Sequence, residues 1–184
     1  MRARGDRHTT IGMYGIKRKR LERRVSCYED GCVGDYVPFY FCPRPVMLYV
    51  IHKSKDNSSK LGYTRGQEEI IHLEADLREV VDWAEQQGRR WAFTTTNAAS
   101  YDARFYNEWE QLANVNWEAV QSPHFIYAWI KRGKQAEFLA HQFFPWRLVR
   151  RIGVHNQLIA LFVRYVLSDS RHKPDVEIIP DWYY

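Results

Sequence analysis

The chain has 184 residues, of which 45% are hydrophobic, 15% aromatic and 27% charged, and its formal net charge is +5. This composition fits one compact domain with a hydrophobic core, and it excludes general disorder and a pair of large domains. Apolar runs such as VMLYVI at 46–51 fall far short of a membrane span, and no apolar stretch follows the basic start as a signal peptide requires. Three cysteines do not suggest a disulfide framework, so we expect a cytoplasmic protein without a membrane anchor.

The positive charge is concentrated near the start of the chain. Residues 1–24 contain nine Lys or Arg against two acidic residues, a local charge of +7 that leaves −2 for the remainder. Such a patch predicts a polyanionic partner, either nucleic acid or a phosphate-bearing ligand. The alternative is a solvated basic arm that binds nothing.

The first half of the chain predicts a loose start followed by mixed elements. Residues 1–10 are expected to be loose, and the charged segment 16–24 forms either an exposed helix or a loop. The aromatic and β-branched run 36–51 predicts a strand interrupted by prolines. A short strand over 70–73 precedes a helix over 75–87, whose apolar residues recur at helical spacing and which a glycine ends.

The second half continues with a strand over 91–94 and an aromatic, amphipathic segment over 105–112 that predicts a helix. Segment 114–134 is expected to be irregular and rich in Trp and Tyr, and a strand follows over 137–143. The remaining elements are a helical turn at 146–152, a segment at 156–167 that fits helix or strand, and a strand over 176–179. Short strands mixed with helices, without regular βαβ alternation, predict an α+β fold.

Glu137 stands out because it lies in the largely apolar run GKQAEFLAHQFFPW at 133–146. Buried carboxylates are costly unless they are paired or reactive. One interpretation places Glu137 on the exposed side of an alternating strand, although Leu139 would then be exposed as well. The other is a carboxylate that meets the positive charge developing on a sugar, as the oxocarbenium-like transition states of glycosidic bonds require. The spacing leaves both open.

Arg44 interrupts the run FYFCPRPVMLY and has a proline on each side, which restricts the backbone around it. One interpretation rests the stem of its side chain on neighbouring aromatic rings. The other presents a forked guanidinium to a phosphate or a base edge. The sequence does not decide between them.

Metal ligands are sparse in this sequence. A metal site would need His72, Glu74 and Asp76 on one face of a strand, but the acidic pair also fits the first turn of the helix that follows. Cys27 and Cys32 lack the further ligands of a zinc site, so we predict no metal. The chain also lacks the glycine-rich dinucleotide fingerprint, the phosphate loop and the G-x-S-x-G serine motif.

Five segments together resemble one family, the DarT-type DNA ADP-ribosyltransferase toxins. They are VGDYVPFYFCPR at 33–44, MLYVIH at 47–52, GKQAEFLAHQFFPW at 133–146, IGVHNQ at 152–157 and the terminal DWYY. The resemblance implies a single ADP-ribosyltransferase domain over 1–184, with two small mixed sheets and flanking helices around an NAD cleft. It further implies that ADP-ribose is transferred from NAD, without a metal, onto a base of single-stranded DNA, most often thymine.

The resemblance also implies roles for single residues. Glu137 matches the family's catalytic glutamate, and Arg44 matches the arginine of its Y-F-x-P-R motif, which contacts the NAD phosphate or the target base. The basic segment 17–24 matches a region bordering the NAD site. From that region Arg20 and Arg23, together with Tyr40, are the predicted cofactor contacts.

Segment 114–134 lies where the fold places its substrate-recognition loop. Its predicted DNA contacts are Tyr127, Trp129, Lys131 and Arg132, because aromatic rings stack on unpaired bases and cations meet the backbone. The alternative for the aromatic residues of this segment, which also include Trp117 and Phe125, is a small satellite core.

The family resemblance gives three further expectations. The family's usual first strand and helix, whose His and Asn line the NAD pocket, are not reproduced around His8 and Thr9, so we expect a shortened N-terminus. Pro45 stands where the family more often has Ser. A macrodomain antitoxin that removes ADP-ribose is the implied protein partner.

Two alternatives to this function stay open. One is a truncated relative that only binds single-stranded DNA, and the other is a metal-dependent nuclease built on His72, Glu74 and Asp76.

Overall fold

A computed structural model describes residues 14–56 and 63–184. The described strands are β1 (Tyr36–Tyr40), β2 (His72–Glu74), β3 (Trp91–Thr94), β4 (Phe105–Tyr106), β5 (Glu137–His141), β6 (Arg151–Val154) and β7 (Asp175–Ile178). They form an antiparallel four-stranded sheet in the order β1-β5-β3-β4 and a mixed three-stranded sheet in the order β2-β6-β7. The α+β architecture predicted from the sequence is confirmed. The loose start predicted for 1–10 lies outside the described residues.

The described α-helices are α1 (Tyr14–Glu22), α2 (Val46–His52), α3 (Leu77–Gln86), α4 (Trp117–Gln121), α5 (Ala128–Gly133) and α6 (Gln157–Val166). Three of them begin at a side-chain cap, since Asp76, Asn116 and Asn156 each accept a hydrogen bond from a backbone N–H in the first turn. Gly88, with a φ of 58°, follows the end of α3, as glycine after a helix commonly does. Among the helices described, none is long and apolar enough to cross a membrane.

Strand β5 is the centre of the larger sheet and is covered on both faces. Phe138 and Ala140 contribute to a core cluster that packs against α3, and Leu139 belongs to a second cluster with Val25 and Val33. Residues 137–140 are therefore all buried. Phe144, just beyond the strand, contacts both the first cluster and the cluster of the smaller sheet, so it joins the two halves of the fold.

Two predicted elements are wrong. The strand predicted over 36–51 ends at Tyr40, and its second half is α2, because Pro43 and Pro45 cannot donate to a sheet and Pro45 stands directly before the helix. Residues 105–112 form strand β4 and then part of a 3-10 helix over 109–114, not an α-helix.

Most other predicted elements hold with shifted ends, but two do not. The helical turn predicted over 146–152 is confined to 146–148 and is followed by strand β6, and the segment 114–134 is not wholly irregular. The exposed segment 16–24 is largely helical as α1, and the ambiguous segment 156–167 is helix α6. Segment 114–134, expected to be irregular, contains the two short helices α4 and α5.

Candidate active site

Glu137 opens β5 with its side chain on the face that Leu139 shares, and it is only 1% exposed. The interpretation that places it on the exposed side of a strand is wrong, because both faces of β5 are covered by other parts of the chain. A carboxylate buried this deeply needs partners of opposite charge or hydrogen-bond donors.

Arg20 of α1 supplies the charge. Its Nη1 donates to Glu137 Oε1 at 3.0 Å, and its Nη2 lies 2.9 Å from Oε2. The backbone N–H of Ala98 also donates to Oε1, at 3.0 Å. Thr94 fixes the strand beside the carboxylate, since its hydroxyl accepts from the Glu137 N–H at 3.2 Å and donates to Thr96 O at 2.6 Å. These contacts hold the carboxylate in one position.

The pair keeps hydrogen-bonding capacity for a ligand. The Arg20 side chain is 18% exposed, and its Nη2, 2.9 Å from Oε2, carries a second N–H that has no acceptor among the described residues. Glu137 Oε2 has Arg20 as its only charged neighbour there, which leaves lone pairs free. A ribose hydroxyl and a phosphate oxygen are groups that would satisfy these two atoms, so the residues present fit NAD.

Tyr40 is the third member of the site. It pairs with Glu137 in the register of β1 and β5, so both side chains lie on the same side of the sheet. Its ring is 38% exposed, whereas Glu137 is covered. Removal of the hydroxyl from water, and then the charge of Glu137, raise the pKa of Tyr40 well above its usual value, so the hydroxyl stays protonated.

Arg23 is engaged in the fold. Its Nη2 donates to the carbonyl oxygens of Tyr101 at 2.9 Å and Ala103 at 3.1 Å, and its guanidinium lies 5.8 Å from the centre of the Phe105 ring. These contacts attach the end of α1 to the loop before β4. They give Arg23 a structural role. Its Nε is buried without a hydrogen-bond partner among the described residues, so its predicted contact with the cofactor stays a prediction.

Arg44 follows the end of β1, beyond the strand residue that pairs with Glu137. Its guanidinium carbon lies 4.5 Å from the centre of the Tyr184 ring, and its Nε is buried without a hydrogen-bond partner in the described part of the chain. The Tyr184 hydroxyl donates to the backbone oxygen of Arg44 at 2.8 Å. The stacking on an aromatic ring is confirmed, and the contact of the guanidinium with a phosphate or a base stays a prediction with which the partnerless Nε agrees.

The predicted recognition segment divides into packed and exposed aromatic residues. Phe125 is half-buried and lies 5.2 Å from the ring of Tyr49, as a satellite core requires, whereas Trp117 packs edge-on against Phe41 at 5.4 Å and is still 38% exposed. Tyr127 is 61% exposed and Trp129 45% exposed, which makes these two rings available for stacking.

The two predicted cationic DNA contacts also differ. Lys131 is exposed on α5. Arg132 is equally accessible but pairs with Asp102 at 2.5 Å, so its charge is already partly balanced. The geometry thus favours Lys131 over Arg132 as a contact for a DNA phosphate.

Three contributors to the site were not singled out as site residues from the sequence, although Tyr184 and Lys134 lie in the quoted motifs DWYY and GKQAEFLAHQFFPW. Ala98 acts through its backbone N–H, and Tyr184 acts from the far end of the chain. Lys134, only 3% exposed, donates to the carbonyl oxygens of Val120 at 3.2 Å and Ser122 at 2.6 Å, and so ties α4 to the start of β5. Burial lowers the pKa of Lys134.

A large apolar cavity of about 1030 Å³ lies on the other face of the larger sheet, between it and the smaller one. Its lining includes Phe39, Phe138 and Trp182 and reaches Tyr40, but it includes neither Glu137 nor Arg20. Polar and charged groups that could act on a glycosidic bond are concentrated at Glu137, so the ion pair beside Tyr40 is the candidate reactive site.

The metal interpretation has no geometric support. Glu74 pairs with Arg151 at 2.6 Å, Asp76 caps α3, and His72 packs against the Tyr183 ring at 4.7 Å. Across residues 14–56 and 63–184, no three His, Cys, Asp or Glu side chains are grouped as metal ligands.

Comparison with known proteins identifies the family. A sequence profile described as DarT, ssDNA thymidine ADP-ribosyltransferase, matches residues 1–184. The chain belongs to this family. A DNA ADP-ribosyl transferase of Thermus sp. strain 2.9 is 35% identical over 178 residues, which cover 95% of this chain and 81% of the relative. The predicted function, transfer of ADP-ribose from NAD to thymidine in single-stranded DNA, is therefore confirmed.

Solved structures of the family agree with the fold. Thermus sp. 2.9 DarT in complex with ADP-ribosylated ssDNA gives a TM-score of 0.86 at 32% identity, covering 99% of this chain and 84% of that one. The same protein in complex with NAD+ gives 0.75 at 36% identity, covering 84% of this chain and 75% of that one. This member of the DarT family thus shares the ADP-ribosyltransferase fold implied by its sequence motifs.

Proposed function

We propose that this chain binds NAD and single-stranded DNA at the Glu137–Arg20 site, and that Glu137 is the carboxylate that drives the transfer. The observation that carries the proposal is the buried, doubly held carboxylate in the middle of the sheet. In the reaction the bond from the ribose carbon to nicotinamide breaks, and its electron pair leaves with nicotinamide. A bond from a thymine ring nitrogen to that carbon replaces it, and the nitrogen's proton passes to solvent.

Glu137 stabilises the positive charge that develops on the ribose carbon while both bonds are weak. A fixed carboxylate in a water-poor site does this well, because its charge needs no reorganisation during the reaction. The free acceptor capacity of Oε2 suits a ribose hydroxyl, which would also orient the sugar. Both roles agree with the requirements of oxocarbenium-like transition states.

Arg20 has two roles in this proposal. It balances the charge of the buried Glu137, and the second N–H of its Nη2 is offered to an oxygen of the NAD diphosphate. When the diphosphate shares the charge of Arg20, the charge of Glu137 is less fully neutralised and is better able to face the sugar cation. Tyr40, protonated and partly exposed beside Glu137, offers a ring and a hydroxyl to the nicotinamide ribose end.

Arg44 acts on the target base. Arginine stays protonated in proteins, so its contribution is electrostatic: it stabilises the negative charge on thymine as the ring nitrogen loses its proton. The buried Nε without a partner in the described chain is the donor that such a base would meet. Tyr127 and Trp129 offer exposed rings to neighbouring bases, and Lys131 offers its charge to the DNA backbone.

A macrodomain protein that removes ADP-ribose is the partner we propose, with this chain as the toxin of the pair. The support is membership of the DarT family. Co-expression with such a macrodomain protein should restore growth to cells that express this chain. Continued growth arrest in the presence of an active macrodomain would argue against the pairing.

The transfer itself is tested with purified protein, NAD and two oligonucleotides that differ only by thymine replaced with cytosine. We expect mass spectrometry to show the gain of one ADP-ribose on the thymine oligonucleotide alone. DNA binding without any mass gain would instead support the alternative in which this chain only binds single-stranded DNA. Strand cleavage that a chelator abolishes would support the nuclease alternative.

A further inference from the structure

Tyr184 makes two separate contacts with the Arg44 turn. Its ring lies 4.5 Å from the guanidinium carbon of Arg44, within the range of a cation–π interaction. Its hydroxyl donates to the backbone oxygen of Arg44 at 2.8 Å and lies 3.4 Å from that of Pro45. One residue therefore holds both the backbone and the side chain of the arginine.

Tyr184 is itself held in place. The side-chain amide of Gln67, which is 1% exposed, accepts from the Tyr184 N–H at 3.1 Å and donates to the Tyr184 backbone oxygen. This two-way contact resembles one step of a β-ladder and fixes the backbone. Burial raises the pKa of the Tyr184 hydroxyl to about 12, so it remains a donor at neutral pH.

The same ring contacts the recognition segment. Phe125 meets it edge-on at 6.0 Å, and Tyr49 of α2 does so at 5.2 Å. Tyr184 thus lies between Arg44 and the segment that carries Tyr127 and Trp129. A displacement of that segment would reach Arg44 through this ring.

We propose that Tyr184 is a positioning residue that aims Arg44 at the target base and couples its position to the recognition segment. An arginine side chain has many rotamers, and a ring against one face of the guanidinium leaves only the edge and the other face for a ligand. The inference rests on the proposed role of Arg44. It requires no direct contact between Tyr184 and NAD or DNA.

The test compares Tyr184→Leu, which removes the ring, with Tyr184→Phe, which keeps the ring and removes the hydroxyl. We expect kcat for transfer to a thymine oligonucleotide to fall about thirtyfold in Tyr184→Leu and about threefold in Tyr184→Phe. NAD affinity, measured by calorimetry, should change less than about twofold, since the Glu137–Arg20 pair is untouched. Tyr165→Leu, at a ring that is 78% exposed on α6, is the matched control and should change neither quantity.

A double-mutant cycle shows whether Tyr184 acts through Arg44. In an Arg44→Lys background, which keeps the charge but loses the planar fork, Tyr184→Leu should lower kcat by less than about threefold. An equal loss in both backgrounds, or a fall in NAD affinity that matches the fall in kcat, would overturn the inference. So would full activity of Tyr184→Leu. If Tyr184→Leu does not fold, Tyr184→Met takes its place, because it fills much of the same volume without an aromatic ring, and parental kcat in that variant would overturn the inference.

The failure of this inference can be told from the failure of the proposed function. If Arg44→Gln, which removes the charge, keeps the parental kcat, the role of Arg44 is wrong and the positioning role falls with it. If Arg44→Gln is impaired and Tyr184→Leu is not, only the positioning role is wrong.

Discussion

At the scale of single residues, the pair of Arg20 and Glu137 links stability with reactivity. The Glu137 side chain is 2% exposed and that of Arg20 18%, so neither charge can be compensated by bulk water if its partner is lost. Removing one member of a buried ion pair is far more destabilising than removing both.

Arg20→Leu should therefore lower the free energy of unfolding by about 3 kcal/mol, as measured by urea denaturation. The double variant Arg20→Leu with Glu137→Leu should recover most of that loss, because no uncompensated charge remains. If both variants were equally unstable, packing around the site and not the ion pair would be the main contribution.

Residue-scale prediction from the sequence was only partly possible. Glu137 could be singled out because a carboxylate in an apolar run demands an explanation, but its role came from the family resemblance. Its partner Arg20 is 117 positions away, and the donor from Ala98 is a backbone group. Neither a contact at that separation nor a backbone donor leaves a pattern in one sequence.

At the scale of elements, the packing of α5 against α4 determines where the exposed rings and Lys131 stand. Gly133, the last residue of α5, makes this close approach possible: a Cβ there would lie 2.5 Å from the Cβ of Ala119 in α4. No ordinary side chain fits at that distance without moving one of the helices.

Gly133→Ala should lower the free energy of unfolding by about 1–3 kcal/mol. It should also weaken binding to single-stranded DNA, because α5 carries Trp129 and Lys131. The control is Gly15→Ala in α1, where a Cβ would have no atom of the described residues within 4 Å. A melting temperature for Gly133→Ala as high as that of the control would contradict the close packing of α4 and α5.

In the smaller sheet, His72 on β2 makes the stability of the folded protein depend on pH. Burial lowers the pKa of His72 from 6.5 to about 4, and its ring packs between those of Tyr183 and Trp182. His72 binds a proton more readily in the unfolded chain than in the folded one, so the burial of its neutral ring costs no stability above pH about 6.5. The protein loses stability as the pH falls from about 6.5 to about 4, because the unfolded chain then takes up the proton.

Urea denaturation between pH 7 and 4 should show a fall in stability that is smaller by about 1–3 kcal/mol in His72→Phe than in the parent. Burial also lowers the pKa of His141, so His141 reduces the stability of both proteins at low pH. Its effect cancels when the two profiles are compared. Identical pH profiles for the two proteins would show that His72 is not buried as a neutral ring.

Elements with clear local signals were predictable. Helix α3 has regular apolar spacing, an Asp cap and a following glycine, and its bounds were predicted to within two residues. The run 46–52 was mistaken for a strand because its Val, Tyr and Ile residues favour strands. The burial of Val46, Leu48 and Ile51 in α2 outweighs that preference.

At the scale of the whole molecule, the basic charge predicts salt-dependent binding of DNA. Association of a cationic protein with a single strand weakens with salt by a slope of about 0.7 per phosphate contact. If Lys131 meets a phosphate, Lys131→Ala should reduce the slope of log affinity against log salt by about that amount.

Arg171→Ala serves as the control, since this exposed cation lies after α6 and away from the recognition segment. Fluorescence anisotropy with a labelled thymine oligonucleotide measures both slopes. If Arg171→Ala reduces the slope as much as Lys131→Ala does, DNA binds through the overall charge and not through α5.

The overall topology joins the two sheets so that the carboxylate stands in the central strand of the larger one, with α1 and the Ala98 loop over it. This arrangement gives Glu137 its burial and its fixed position, and both follow from long-range pairing that the sequence could not reveal. The family resemblance supplied the fold because its motifs include the strands that form this centre.

Transfer of ADP-ribose to a thymine oligonucleotide by Glu137→Gln is the most direct test of the role of Glu137. The substitution keeps the shape of the side chain and removes its charge, and Glu85→Gln at an exposed position is the control. We predict that kcat falls at least about a hundredfold in Glu137→Gln while the protein stays folded and Glu85→Gln keeps the parental rate. A folded Glu137→Gln protein that transfers ADP-ribose at the parental rate would contradict the assignment of Glu137 as the charge that meets the ribose cation.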